Sequence, residues 1–592
     1  MENKNLENFK WKMACMQRQF SYNQQGYSLI KSMVLRYALL TVNKNVRSIK
    51  DSSDNVSAYF ESLREDIYKN LDEISKSLGN QFKDVVLDCI VSFSTYNEKD
   101  SGFEQALYMM EELSLEGLKE FIIYGVDNFG YRENCGTPAS LCNLVKGLFN
   151  IKDKSSIMDL GCGNGDFLVN CAKDNRNNIY YGYEINYDSK LLSNIRLTLL
   201  GVNNIVYEGD VLKQDNIRKA DFIFSHPPFG LRVGRIFEEN RETEHLYGSK
   251  YRPSQTAEWL FINKIISGLN EEGMGIVVVP EGALINLLDI EQRKLLVDNN
   301  YIEAVIKLPV NLFPYTSIST SLIVLRKNKN SKMCKFIDAS ELCDRNGRIV
   351  TLRVDDILKL YNSNEITEVS IEEIVKNEYV LTVNKYRGLE DIKIENPVKL
   401  ESLVEDVFRG VQIQADVLHK YTTNEDSEGV YKIVASGDIV DSSFDVDKLE
   451  KFVSQKNYDR YLLKNNDVLI SCKSTKVKTA IVDIKKGEKV IPSGSIIVVR
   501  CDTSKLKPVY LKMFLDSDIG IKLLASIQTG TTIISINPKA LMGLTIACID
   551  LEKQEDLSTK YLGTLDMIKL EKMKIEKLEQ KLKSIYDDFV EG

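Results

Sequence analysis

The chain has 592 residues, of which 43% are hydrophobic and 27% are charged, and its formal net charge is −8. We expect about three or four domains, because one hydrophobic core does not grow to this length. The composition is typical of a soluble globular protein, and the absence of an uncharged apolar run of about 18 residues predicts no membrane span. The polar N-terminal segment lacks the apolar core of a secretory signal. The acidic average argues against non-specific coating of nucleic acid, although a DNA enzyme needs only a local basic face.

The potential metal ligands are few and scattered. Eleven cysteines occur without a CxxC pair, and the chain has only three histidines, at 226, 245 and 419. Scattered free thiols are typical of a reducing compartment, so we expect a cytoplasmic protein without disulfides. We also expect no metal site, since a multi-histidine centre needs more ligands than these.

The first two predicted domains differ in their hydrophobic period. Residues 1–125 are predicted to form a helical domain, because apolar residues recur every three or four positions in 27–40 and 103–126. Over 126–390, short apolar runs alternate with helical stretches, which predicts an α/β domain with a parallel or mixed sheet. The predicted strands are the runs SSIMDLG, NIYYGYEI, NNIVYEGD, ADFIFSH, MGIVVVPE, YIEAVIKLP and SLIVLRK.

The C-terminal part is predicted to be a separate unit. Residues 391–400 are interpreted as a linker, and 395–550 contain short strand-like runs separated by turn residues. The segment 551–592 is predicted to be one long helix with an apolar face formed by Leu565, Ile568, Ile575, Leu578, Leu582 and Ile585. This face either packs on its own domain or forms a coiled-coil contact with another chain, and the sequence favours neither.

A glycine-rich turn is the strongest local motif. In SSIMDLGCGNGDFL (155–168), an apolar strand leads into Gly161, Gly163 and Gly165, and a helix is predicted to begin near Asp166. Glycines allow the backbone to turn sharply and to approach a ligand closely at a helix N-terminus. The triplet alone does not distinguish a nucleotide-type site from an ordinary strand-to-helix turn, and it would fit NAD as well.

Acidic residues after the next two strands extend this motif. Glu184 ends the second strand, where a carboxylate can bind ribose hydroxyls, and Asp210 follows the third, where it could bind an adenine amino group. Together with DLGCGNG they resemble the S-adenosylmethionine site of the class I (Rossmann-like) methyltransferases. A Thr-Pro pair before the sheet resembles one that helps hold the methionine part of this cofactor. The resemblance implies S-adenosylmethionine as cofactor, bound by Thr137, Pro138, Asp159, Gly161, Gly163, Gly165, Glu184 and Asp210.

The run ADFIFSHPPFG (220–230) resembles the catalytic motif of DNA amino-methyltransferases, in which Asn, Asp or Ser precedes Pro-Pro and an aromatic residue. Pro227, Pro228 and Phe229 match this pattern, whereas His226 does not. The resemblance implies that the first-proline carbonyl and the preceding side chain accept hydrogens from the target amine, while Phe229 stacks on an extruded base. A neutral histidine offers one acceptor nitrogen and a protonated one offers none. Three interpretations follow: His226 substitutes functionally, the chain binds DNA without methylating it, or the acceptor is a different amine.

The wider sequence resembles two components of type I restriction–modification systems. Residues 1–385, and 256–329 above all, resemble the modification subunit, which implies methylation of the N6 amine of adenine in duplex DNA. Residues 408–414, 431–441, 462–482 and 530–554 resemble one target-recognition domain of a specificity subunit, followed by its spacer helix. We therefore predict a methyltransferase fused to half a specificity subunit. Its expected partners are duplex DNA, a second copy through the C-terminal helix, and a restriction subunit, since no nuclease signature is apparent.

Overall fold

A computed structural model provides the structure of the chain. It describes residues 6, 9–10, 22–42, 46–49, 56–92, 101–125, 136–232, 256–363, 366–386, 394–413, 421–423, 430–454, 456–473, 477–529 and 535–591. The contacts divide the chain into two compact units, Met1–Val383 and Asn384–Gly592. The predicted helical segment and the α/β segment thus belong to one compact unit, and the four predicted domain limits stay predictions. No helix among the described residues is long and apolar enough to cross a membrane.

The N-terminal part of the first unit is helical in every described segment longer than four residues. The helices are α1 (Tyr22–Val42), α2 (Val56–Leu78), α3 (Asn80–Val91), α4 (Ser101–Met110) and α5 (Leu115–Tyr124). Within the predicted helical segment 103–126, the described residues form parts of two helices, α4 and α5. The break occurs because the Ser114 side chain caps α5, accepting a hydrogen bond of 3.0 Å from the backbone N–H of Gly117.

A nine-stranded mixed sheet forms the rest of this unit, which confirms the predicted α/β fold. All seven predicted runs are strands: β1 (Ser156–Leu160), β2 (Ile179–Glu184), β3 (Asn203–Glu208), β4 (Ala220–Ser225), β5 (Leu269–Pro280), β6 (Ile302–Lys307) and β7 (Thr320–Arg326). The sheet is completed by β8 (Met333–Asp338) and β11 (Thr367–Ser370), and a hairpin is formed by β9 (Cys343–Asn346) and β10 (Ile349–Leu352). The strand order is β11-β8-β6-β7-β5-β4-β1-β2-β3. The five strands from β3 to β5 are parallel, and β7 is antiparallel to both of its neighbours.

Helices precede, connect and follow the strands of this unit, and several of them pack on the sheet. They are α6 (Ala139–Phe149), α7 (Asp166–Asp174), α8 (Tyr187–Leu200), α9 (Ala257–Gly268), α10 (Ile290–Asp298), α11 (Val354–Tyr361) and α12 (Ile371–Lys376). A further short helix, α13 (Val383–Tyr386), lies at the boundary between the two units. The parallel strands consist of almost uninterrupted buried apolar residues, as in β1, where the last four residues are buried. This pattern is expected where helices cover both faces of a sheet.

The second unit contains several small sheets. Its strands are β12 (Pro397–Lys399), β13 (Val404–Arg409), β14 (Val430–Val434), β15 (Glu450–Val453), β16 (Val468–Ser471), β17 (Thr479–Ile481), β18 (Val490–Pro492), β19 (Ile496–Cys501), β20 (Gln528–Thr529), β21 (Ser535–Ile536) and β22 (Thr545–Ala547). The main sheet has the order β13-β19-β16-β17, and a second has the order β15-β14-β18. Part of the predicted linker 391–400 is in fact a strand, because β12 pairs antiparallel with β22.

The helices of the second unit are α14 (Pro508–Asp516), α15 (Asp518–Ser526), α16 (Pro538–Met542) and α17 (Leu551–Glu591). The predicted long helix is therefore present, with 41 residues. A buried network anchors its first part. Lys512 forms an ion pair with Asp516, and the Tyr561 hydroxyl of α17 donates to Asp516 at 2.5 Å. Thr479 of β17 donates to the other Asp516 oxygen at 2.5 Å, so the network joins α17 to the main sheet.

Candidate active site

The predicted site residues gather at one edge of the large sheet. Gly161 directly follows β1, Glu184 ends β2, Asp210 comes two residues after β3, and His226 directly follows β4. These four strands are parallel neighbours, so their carboxyl ends lie side by side. In parallel α/β sheets this edge is where ligands bind.

The three glycines of the turn have different roles. All three have positive φ angles, of 77° at Gly161, 51° at Gly163 and 82° at Gly165. A side chain at Gly165 would collide with Ser193 of α8, so this glycine permits close packing between helices. A Cβ at Gly163 would meet no atom within 4 Å, which leaves open space beside the turn.

The acidic residues hold the turn and retain capacity for a ligand. One oxygen of Glu184 accepts a 2.8 Å hydrogen bond from the Gly163 N–H, and the other accepts one of 2.8 Å from the Asn186 N–H. Asp210 accepts a 3.0 Å hydrogen bond from the Leu212 N–H. A carboxylate offers about four lone-pair positions, so both side chains can accept further hydrogen bonds from ribose or base.

Asp159 is the clearest sign that the site is built for a bound group. Its side chain is buried, and its Oδ1 has no hydrogen-bond partner among the described residues. Burial, together with the charges of Glu184 and Asp166, raises the pKa of Asp159 well above its ordinary value. Buried polar atoms without partners are rare in native proteins, and they indicate an absent water or ligand. The turn, its open space and these carboxylates therefore fit S-adenosylmethionine.

The helical N-terminal segment supports the glycine turn. Arg196 of α8, which is buried, donates to the carbonyl of Asn164 at 2.6 Å, to Asp166 at 2.7 Å and to the carbonyl of Ile123 in α5 at 2.8 Å. The Tyr27 hydroxyl of α1 donates to the Asn164 side chain at 2.9 Å. These contacts connect two N-terminal helices to the turn and restrict its movement. The sequence analysis did not single out Arg196, Asn164 or Tyr27.

The structure brings the predicted catalytic and cofactor residues together. Nδ1 of His226 lies 3.1 Å from the Thr137 hydroxyl, which places the Thr-Pro pair beside the HPPF motif. Pro138 occupies the N-cap of α6 and leaves Thr137 just outside this helix. Pro227 is buried and Pro228 is exposed. The two prolines restrict the backbone at the end of β4, which keeps the Pro227 carbonyl in a defined direction.

An aromatic cluster surrounds His226. Its ring centroid lies 5.3 Å from that of Phe229 and 4.7 Å from that of Phe313, and Phe229 and Phe313 meet edge-on at 5.7 Å. Nε2 of His226 lies 3.1 Å from the Tyr315 hydroxyl. Burial lowers the pKa of His226 from 6.5 to about 4, so its ring is neutral at physiological pH. Among the described residues no group of acidic, histidine or cysteine side chains could hold a metal ion.

Three residues of this site were missed by the sequence analysis. Phe313 and Tyr315 contact His226, and the buried carboxylate of Glu258 accepts a hydrogen bond from the Gly230 N–H, which holds the end of the HPPFG turn. All three lie within 256–329, the stretch whose resemblance to the modification subunit is most extensive. That resemblance was the available signal, although it does not indicate which of its residues reach the site.

Comparison with known proteins identifies the catalytic segment. Residues 132–395, which include every predicted site residue, match the family model described as N-6 DNA Methylase. The matched segment covers less than half of the chain and is similar to the N-6 DNA methylases. The chain is a DNA methyltransferase, and its methyl donor is S-adenosylmethionine. The match confirms the predicted enzyme class and cofactor, and it favours an active enzyme over a protein that only binds DNA.

Several relatives of this segment are methylase subunits of type I restriction enzymes. The MpnII methylase subunit of Mycoplasma pneumoniae is 26% identical across 61% of this chain and 75% of its own length. The MjaVII methylase subunit of Methanocaldococcus jannaschii is 29% identical across 42% of this chain and 48% of its own length. A solved type I methyltransferase subunit from Streptococcus thermophilus is similar over 65% of this chain and all of its own, with a TM-score of 0.49 and 19% identity.

Proposed function

We propose that this methyltransferase modifies the N6 amine of adenine in duplex DNA, at a sequence read by its own second unit, as part of a restriction–modification system. The observation that carries the proposal is the 3.1 Å contact between Thr137 and His226. It joins a residue assigned to the methyl donor with the residue that opens the HPPF motif. The residues assigned to the donor and those assigned to the acceptor thus adjoin at one sheet edge. This enzyme acts in the cytoplasm, where its DNA substrate lies.

The chain's own residues prepare the acceptor amine. The exocyclic amine of adenine is a weak nucleophile because its lone pair is delocalised into the ring. The Pro227 carbonyl accepts one of its hydrogens, and the neutral His226 side chain takes the place of the usual Asn or Asp beside it. Phe229 stacks on the extruded base. These groups are oriented before the reaction, because the prolines restrict the backbone and the aromatic cluster restricts the His226 ring.

The donor side uses the residues of the glycine turn. Glu184 and Asp210 would hold the ribose and the adenine of S-adenosylmethionine, and Thr137, Pro138, Asp159 and the backbone of Gly161, Gly163 and Gly165 would hold its methionine part. When bound, this cofactor supplies an electrophilic methyl group. Thr137 also contacts His226, so donor binding and acceptor geometry depend on a shared residue.

The second unit is proposed to be one target-recognition domain. Its separate compact structure, its short strands and the long helix α17 support this proposal. Three lysines, at positions 473, 476 and 478, are candidate phosphate contacts. Lys478 donates instead to the carbonyls of Ile439 at 2.8 Å and Ser436 at 3.2 Å. Lys473 stays a candidate, and Lys476 lies outside the described residues.

A second copy of the chain is the proposed partner of α17. Three residues of its predicted apolar face are exposed to solvent: Ile568 at 48%, Ile575 at 55% and Leu578 at 67%. The side chains of Leu582 and Ile585 lie outside the described residues. An exposed apolar row on a long helix favours helix pairing. Two paired chains would read two half-sites related by symmetry, and a separate restriction subunit would supply cleavage.

The proposed activity is tested by mapping adenine methylation across the genome of a host with and without this gene. We expect one sequence motif to acquire N6-methyladenine only when the gene is present. The control is a host that expresses Phe229→Ala, which removes the stacking ring and should abolish the methylated motif. If no sequence motif acquires N6-methyladenine in the host that carries the gene, the proposal is wrong. If a motif acquires methylated cytosine instead, the target base is cytosine and not adenine.

A further inference from the structure

Both ring nitrogens of His226 are in contact with hydroxyl groups. Nδ1 lies 3.1 Å from the Thr137 hydroxyl and Nε2 lies 3.1 Å from the Tyr315 hydroxyl. The three residues come from separate parts of the domain. Thr137 precedes α6, His226 follows β4, and Tyr315 lies in the connection between β6 and β7. The position that holds an Asn or Asp in the related motif is thus the centre of a three-residue chain.

This chain constrains the histidine in a way that an asparagine would not require. A neutral imidazole has one N–H donor and one acceptor nitrogen, and its hydrogen-bond partners decide which nitrogen carries the proton. A hydroxyl can serve either nitrogen, because it both donates and accepts. Two hydroxyls on opposite sides of the ring therefore hold its rotation, and they accommodate either tautomer. Without one of them, the ring would lose one of the two hydrogen bonds that hold it between the aromatic side chains.

The connection that carries Tyr315 is well placed to hold the ring. Phe313, two residues earlier, is buried with 1% of its surface exposed, and it packs against both His226 and Tyr315. The N–H of Thr316 donates to the Phe313 carbonyl at 3.2 Å, which closes a tight turn around Tyr315. The Tyr315 hydroxyl is thus presented to His226 from a segment anchored in the core.

We propose that Tyr315 is a positioning residue for methyl transfer, which acts by orienting the ring of His226. The pair His226–Tyr315 takes the place of the single Asn or Asp of the related motif. This inference rests on the proposed adenine methylation. Beyond that proposal, we infer why a histidine can stand at the Asn or Asp position without loss of function. Tyr315, from a distant segment, supplies the orientation that the imidazole ring needs.

The inference is tested with a double-mutant cycle. Tyr315→Phe removes only the hydroxyl, and we expect kcat for methyl transfer to fall at least about tenfold, with the KM for S-adenosylmethionine and for DNA unchanged. In His226→Asn, which restores the side chain of the related motif, kcat should no longer depend on Tyr315, because the amide oxygen needs no second residue to orient it. When Tyr315→Phe is added to His226→Asn, kcat should change by less than about twofold.

A matched control and a spectroscopic readout separate positioning from a general loss of structure. Tyr180→Phe removes the hydroxyl of another buried tyrosine. That hydroxyl donates to the Asn175 carbonyl at 2.6 Å and lies away from the site, so its loss should leave kcat unchanged. In protein labelled with 15N-histidine, the His226 ring signals, assigned by their loss in His226→Asn, should shift in Tyr315→Phe and stay in place in Tyr180→Phe.

The outcomes distinguish this inference from the proposed function. Three results would overturn the inference alone, provided that the wild-type enzyme methylates adenine. They are a wild-type kcat in Tyr315→Phe, an equal fall in kcat when Tyr315→Phe is made with and without His226→Asn, and a complete loss of methyl transfer in His226→Asn. A wild-type chain that binds S-adenosylmethionine and methylates no DNA would overturn the inference and the proposed function together.

Discussion

Burial of the His226 ring couples this residue to the acid stability of the protein. The pKa of His226 is lowered from 6.5 to about 4, so between these values an unfolded chain binds a proton that the folded chain does not. Stability therefore falls as the pH decreases through this window, and no further contribution is lost below about pH 4.

The first prediction compares the wild type with His226→Asn, which does not titrate. Near pH 7 and above, the difference between their free energies of unfolding should be constant with pH. At pH 5 the free energy of unfolding of the wild type should have fallen by about 2 kcal/mol relative to that of the variant. The loss follows from proton linkage, because the pKa of His226 is 6.5 in the unfolded chain and about 4 in the folded chain. Urea denaturation at pH 7, 6 and 5 measures the effect. Parallel pH dependences of the two proteins would show that His226 titrates normally when folded.

Two glycines of one turn should respond differently to the same substitution. Gly165→Ala places a methyl group against Ser193 at a φ of 82°, so it should lower the free energy of unfolding by more than about 2 kcal/mol. Gly163→Ala meets open space at a φ of 51°, so it should cost about 1 kcal/mol. Thermal denaturation ranks the two variants, and the reverse order would contradict the assigned roles. Calorimetry should show weaker S-adenosylmethionine binding in Gly163→Ala, since the added methyl projects into the space beside the turn.

At the scale of elements, the helical N-terminal segment acts as a support for the cofactor turn. The contacts of Arg196 join α5, the glycine turn and α7 through a single buried side chain, as described above. The guanidinium is paired with Asp166, whose side chain is 21% exposed. Removing one partner of a largely buried pair leaves an uncompensated charge and three unsatisfied acceptors.

Arg196→Met should therefore lower the free energy of unfolding by about 3 kcal/mol or more. It should also weaken S-adenosylmethionine binding, because the turn loses a fixed anchor. The control is Lys146→Met, which removes an ion pair of 2.6 Å with Asp174, a residue that is 57% exposed. This surface pair should contribute less than about 1 kcal/mol. Equal losses in the two variants, measured by urea denaturation, would show that the Arg196 contacts have no special role.

At the scale of the whole molecule, the exposed apolar row of α17 (Ile568, Ile575 and Leu578) predicts a dimer. The buried network of Lys512, Asp516, Thr479 and Tyr561 accounts for the start of the helix, whereas the row from Ile568 onward has no covering element among the described residues. A helix of 41 residues is about 60 Å long, which gives a long contact surface.

The double substitution Ile568→Glu and Ile575→Glu should convert a dimer into a monomer, because charges on the seam would be buried by pairing. Light scattering after size-exclusion chromatography reports the mass. Lys569→Glu, on an exposed position of the same helix, is the control and should keep the dimer. A monomeric wild type would contradict the proposed second copy, while methylation by a monomer would leave the catalytic proposal intact.

The sequence by itself determined the features that depend on local patterns. The seven strand runs, the glycine turn from 161 to 165 and the HPPF motif were predictable, because hydrophobic period and turn chemistry act over a few neighbouring residues. The edge at which Glu184, Asp210 and His226 would meet also followed, since each comes at the carboxyl end of a parallel strand. The cofactor was predictable through the resemblance, because the glycine spacing alone did not distinguish it from NAD.

Only the tertiary structure decided which distant residues complete the site. Thr137 and Tyr315 each lie 89 positions from His226, and they reach its two ring nitrogens because the strand order brings their segments together. No local pattern encodes that order. Likewise, the Ser114 cap sets the start of α5, and pairing with β22 makes a strand of part of the expected linker. In each case a specific hydrogen-bond partner, and not a periodic preference, selects the conformation.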